Sequence, residues 1–85
     1  MTQTQDTITA ALLEQAQAKG MTVSADQRVG EADAAKLLAI KQRALRAARQ
    51  EGRGPVSYSL PVGSARISYS LPDLAAFILK RRKVA

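Results

Sequence analysis

The chain has 85 residues, with 13 lysines and arginines against 7 acids, a net charge of +6, and neither histidine nor cysteine. A length like this holds one small domain plus tails, and because such a domain buries only about 60% of its unfolded surface, a deep catalytic cleft is not expected. The missing residue types exclude disulfides, thiolate nucleophiles, imidazole bases and the commonest zinc ligands, so no metal and no cofactor is expected.

In chain order, Asp6 or Thr7 can cap a helix over 7–19 that Gly20 ends, with Ile8, Ala11, Leu12 and Ala16 as its narrow apolar stripe. That stripe can pack on the body of the domain, pair with another copy or order on binding; packing is the plainest reading. Residues 21–29 read as a connector ending at Val29, the first core residue of the domain proper. From Glu31 to Leu38 the apolar residues Ala34, Ala35, Leu37 and Leu38 fall on one helical face, with Glu31 and Asp33 in the first turn, where the dipole favours acids. Ala39, Ile40 and Lys41 interrupt the pattern. Gln42 to Glu51 resumes it, with Leu45 and Ala48 inward, until Gly52, Gly54 and Pro55 stop the helix.

The period then changes to two. Val56, Tyr58 and Leu60 alternate with serines, as do Ile67, Tyr69 and Leu71 with Arg66, Ser68 and Ser70, which predicts two short strands joined by a turn over 61–65. The pentapeptide SYSLP stands in both, at 57–61 and 68–72. Ser70 and Asp73 have the form of a capping box, while Pro72 would equally suit a first helical turn beginning at Leu71, and the sequence does not choose. A closing helix follows, packing through Leu74, Phe77 and Ile78 and ending in Lys80, Arg81, Arg82 and Lys83.

Charge is divided along the chain: residues 1–35 carry −3 and residues 36–85 carry +9. At about 100° per residue, Gln42, Arg46 and Arg49 cluster on one side of their helix, flanked by Arg43 and Gln50, with Lys41 at its entrance. Arg forks onto guanine O6 and N7 and Gln matches adenine N6 and N7, so the row is a candidate surface for reading a major groove. A solvated helix face is the alternative, but four bases in nine residues without an acid are not what solubility alone requires. Ser64 and Arg66 at the hairpin tip can reach phosphate, and Lys80 to Lys83 extend the positive surface more weakly. Charge by itself would equally suit RNA or an anionic membrane. No window approaches the roughly 20 apolar residues of a membrane span, and the N-terminal stretch lacks a secretory layout, so the expected place is the cytoplasm, with no membrane partner. Dispersed acids and the absence of a phosphate-cradling motif point away from an enzyme.

The expected fold is mainly α with a small β-hairpin, in the element order of a winged helix-turn-helix: three or four helices plus a two-stranded wing. From Val29 to Arg82 the chain resembles the excisionase and AlpA-like group of small winged helix-turn-helix domains, distant relatives of MerR-type regulators. The resemblance lies in ADAAKLLAI, KQRALRAARQEGRGP, ARISYS and LPDLAAFI, taken in order. It implies Gln42, Arg43 and Arg46 in the major groove, Lys41 at the helix entrance and Arg66 on the wing. It divides the chain into an extension (1–28), the DNA-binding domain (29–80) and a basic tail (81–85), and gives the extension no role. Two caps depart from the group's pattern, Gly30 and Lys41 standing where Ser or Thr is usual. Members act as recombination directionality factors that bind duplex DNA near an attachment site, often as adjacent copies, and bias an integrase toward excision, or as transcription regulators. Leu60 and Val62 are candidate contacts between copies. An RNA-binding or protein-interaction adaptor, with Tyr58 and Tyr69 stacking on unpaired bases, is the alternative of another class.

Overall fold

Thr4 opens the first helix, α1 (Gln5–Ala18): its hydroxyl accepts from the Thr7 N–H at 3.2 Å. The cap therefore lies ahead of the expected Asp6 or Thr7, and Asp6 instead occupies the first turn, where its charge faces the positive end of the helix dipole. Gly20, at φ 68°, ends the helix as its composition predicts, letting the N–H groups of Gly20 and Met21 close onto the carbonyls of Gln17 and Ala16. The computed structural model describes residues 4–82, so Lys83 lies outside them.

Within those residues the chain continues through β1 (Arg28–Gly30), α2 (Glu31–Leu38), α3 (Gln42–Gln50), β2 (Ser68–Ser70) and α4 (Leu71–Arg81). Four helices thus accompany a two-stranded antiparallel sheet, and α2 and α4 pack against it. Ile8, Leu12 and Ala16 of α1 join Val29, Leu38, Leu45, Tyr69, Leu71 and Leu74 in a single buried cluster, while Ala11 of the expected stripe faces solvent. α1 lies mainly against α4, and the Gln5 amide donates to the Pro72 carbonyl at 3.0 Å. The segment that the resemblance left without a role is one wall of the core.

The expected hairpin needs correction. β2 takes β1 as its strand partner, with Val29 opposite Tyr69, and residues 56–60 form no strand: one bridge, Tyr58 to Ser68, joins them to the far side of β2. β2 is consequently the central element, and its Ser68 is fully buried, whereas Val56 and Leu60 are each 57% exposed. Alternation over 56–60 suggested a buried face, but this edge segment, held to β2 by one bridge, leaves Val56 and Leu60 largely in water. The tip is a tight turn in which Val62 and Ala65 exchange both backbone hydrogen bonds. Val62 is buried, which removes it as a contact between copies.

Ser70 caps α4, accepting from the Asp73 N–H at 3.1 Å and donating to the Asp73 carboxylate at 2.7 Å, with Pro72 inside the first turn. Both local signals in the sequence are therefore realised together. Arg28 ties β1 to the loop, donating to the Leu60 carbonyl and the Ser68 hydroxyl, while Asp26 closes on its Nε at 2.7 Å.

Gly30 caps α2 with an ordinary φ of −69°, so its backbone does not call for glycine. Space does: a β-carbon there would stand 2.6 Å from the Ala65 Cβ. Serine at this position, although a good helix cap, will therefore lower stability by about 1–3 kcal/mol through overpacking. Adding Ala65→Gly to Gly30→Ser should recover part of that loss in urea denaturation; an equal loss in the double variant would refute the steric account.

Candidate nucleic-acid interface

α2 ends at Ala39, a non-glycine residue at φ 59°, where the N–H groups of Ala39 and Ile40 turn back onto Lys36 and Ala35. Three residues later α3 begins. Leu45 and Ala48 anchor α3 in the core, and Gly52 at φ 73° closes its C-terminus. With those anchors inward, Gln42, Arg43, Arg46 and Gln50 are all exposed. Together they form an outward face of long donors that holds no acid.

Arg49 departs from that row. Its Nε donates to Glu31 Oε2 at 2.8 Å, and the Tyr69 hydroxyl donates to the same oxygen at 2.8 Å, so one carboxylate joins the start of α2, the last turn of α3 and the middle of β2. The Glu31 side chain is 10% exposed and that of Arg49 25%. At about 100° per residue Arg49 stands only about 40° from Leu45, at the border of the packed face, and its long stem reaches inward from there. Arg49 is thus a strut that fixes α3 on α2. Burial pushes the Glu31 carboxyl up, but the hydrogen bonds from Arg49 and Tyr69, with the arginine charge beside them, outweigh it and hold the group below the usual glutamate value. Burial, followed by the bond to Glu31, pushes the Tyr69 phenol far above its usual range.

What sequence reasoning missed is the joint role of Glu31 and Tyr69 in holding Arg49. Glu31 had a sufficient local explanation as an acid in a first helical turn, and Tyr69 lies 38 positions away. The one clue was an acid at a helix start followed by a helix with no acid on its face.

Lys41 caps α3 with no side-chain hydrogen bond, and no acid occupies the first turn. A cation at the positive end of a helix is locally unfavourable. Lys41→Ser will therefore raise stability by about 1 kcal/mol, read from the urea midpoint; a fall would show that the lysine has a stabilising contact in the folded chain.

Ser64 and Arg66 are exposed on the 62–65 turn and just beyond it. At the end of α4, Lys80 and Arg82 are exposed, and Arg81 donates to the Leu38 carbonyl at 3.2 Å with its guanidinium 5.7 Å from the Phe77 ring centre. Tyr58 and Tyr69 both direct their hydroxyls to carboxylates, Tyr58 to Asp73 at 2.6 Å. Among the described residues no cluster of acids could hold a metal ion, and no helix is long and apolar enough to cross a membrane. In comparisons with known proteins, no family model, no curated protein and no solved structure matches the chain.

Proposed function

We propose that this protein binds duplex DNA as a winged helix-turn-helix. α3 lies in the major groove, with Gln42, Arg43, Arg46 and Gln50 toward the base edges and Lys41 at a phosphate beside the helix entrance. Ser64 and Arg66 grip the backbone from the adjacent turn. Arg49, held by Glu31, orients the reading helix and does not reach the bases. The observation that carries this reading is the outward face of α3: exposed arginines and glutamines without an acid, on a helix tied to its neighbour by a part-buried ion pair. Rigidity of this kind is what base reading needs, since a bidentate contact tolerates little misplacement.

On the strength of the resemblance, we assign the protein to the recombination directionality factors, which act by occupying DNA beside an attachment site and biasing a site-specific integrase toward excision. Adjacent copies would meet through Leu60, the apolar residue exposed beyond the bridge to β2. Titration of duplex and single-stranded oligonucleotides across a salt series tests the groove reading. A preference for duplex and a steep fall of affinity with salt are expected; equal affinity for single strands would overturn it. Footprinting beside an integrase attachment site then tests the assignment, with protected adjacent sites as the expected result.

A further inference from the structure

A groove of about 520 Å³ runs between residues 52–56 and the outer face of α4. None of the exposed α3 residues lines it. Its apolar part is made by Pro55, Val56, Ala76 and Phe77, and its rim carries Arg53, Lys80 and Arg81. Asp73 stands at one end, where its carboxylate already accepts from the hydroxyls of Tyr58 and Ser70.

We infer that this groove docks an acidic amphipathic segment of another protein, its apolar side chains entering over Phe77 and its carboxylates meeting Lys80, Arg53 and Arg81. Shape and charge both argue for such an occupant. Asp73, Ala76, Phe77 and Lys80 recur on α4 at the spacing of one helical face, a ridge about 10 Å long. That length suits a partner helix presenting anchors three and four residues apart. An apolar floor of this kind offers nothing to a phosphodiester chain, whereas the cationic rim complements carboxylates flanking an apolar anchor. Arg81 is fixed there by the Leu38 carbonyl and by its place over Phe77, and so presents its charge at low entropic cost. Arg53 is 64% exposed in its pair with Glu51, a surface ion pair cheap to exchange for another carboxylate. The inference does not rest on DNA binding, and its principal test uses a peptide in the absence of DNA.

The probe is a synthetic peptide in which leucine and phenylalanine recur every three to four residues among glutamates, titrated into the whole isotope-labelled protein by NMR. A second peptide replaces its glutamates with lysines, and a third replaces its apolar anchors with alanine. Shifts centred on Gly54, Val56, Ala76 and Phe77 are expected for the first peptide alone. Affinity should fall at least about tenfold in Ala76→Glu and in Lys80→Glu and persist in Lys80→Arg, since a desolvated like charge opposes the partner. Both altered positions are exposed, and unchanged amide spectra of the unbound variants will show that they fold. Three results would overturn the inference: no perturbation at millimolar peptide, equal binding of the lysine peptide, or shifts elsewhere on the surface. A loss of duplex affinity in Lys80→Glu as large as that in Arg46→Glu would also overturn it, by placing these cations on DNA.

Discussion

Glu31→Ala is expected to remove about 3–5 kcal/mol of folding stability, since it leaves a guanidinium and a buried phenol without their shared acceptor. That is a large share of the roughly 5–15 kcal/mol a small domain holds. The mechanism can be separated from simple loss of packing. Replacing the whole group, with Glu31→Met, Arg49→Met and Tyr69→Phe together, should restore most of the stability, because no unpaired charge or hydroxyl remains to be buried. If the triple variant is as unstable as the single one, the cost is not one of broken pairing. The same group sets a pH dependence. Glu31 titrates below its ordinary value in the folded chain, so its contribution is present above pH of about 4 and is lost as pH falls through the folded value. Tyr69 titrates above its ordinary value, so its contribution is complete below pH of about 10 and is lost on going higher. The urea midpoint should therefore form a plateau with a fall on each side, and Tyr69→Phe should remove that residue's share of the alkaline fall.

Arg43→Ala and Arg46→Ala should each weaken the preferred duplex by about 1–3 kcal/mol and relax its sequence preference, the mark of a bidentate base contact. Arg66→Ala should instead weaken all duplexes alike and reduce the salt slope by about 1. Competition titrations against a scrambled duplex at several salt concentrations would separate the two patterns. Equal behaviour of the three variants would contradict the division between reading and gripping. Arg49→Ala has a distinct signature, because its effect on DNA should follow a loss of stability. Correcting the affinity for the unfolded fraction should remove much of the apparent defect.

Local chemistry made much of this arrangement legible. α2 and the start of α3 coincide with the expected bounds, since the apolar spacing of 34–38, the acids at Glu31 and Asp33 and the Gly52 stop are all short-range signals. The exposed α3 face was equally visible, because Leu45 and Ala48 settle which side turns inward. Pairing between distant segments was not legible. Three residues at Arg28–Gly30 are too few for alternation to reveal a strand, and SYSLP gives no sign of which copy will be central. The second copy is central because it has neighbours on both sides, β1 and Tyr58; the first has only one. Arg49 was misplaced for a related reason: a residue at the border of two helix faces is assigned by what it can reach, and Glu31 lies 18 positions away.

Because α1 finds its principal cover on α4, the earliest-made part of the domain must wait for the latest. During synthesis, Ile8, Leu12 and Ala16 leave the ribosome more than fifty residues before Leu71 and Leu74 can shield them. Folding of this domain is thereby postponed until α4 has emerged, and a nascent fragment ending before α4 would carry an uncovered oily stripe that invites chaperones or proteases.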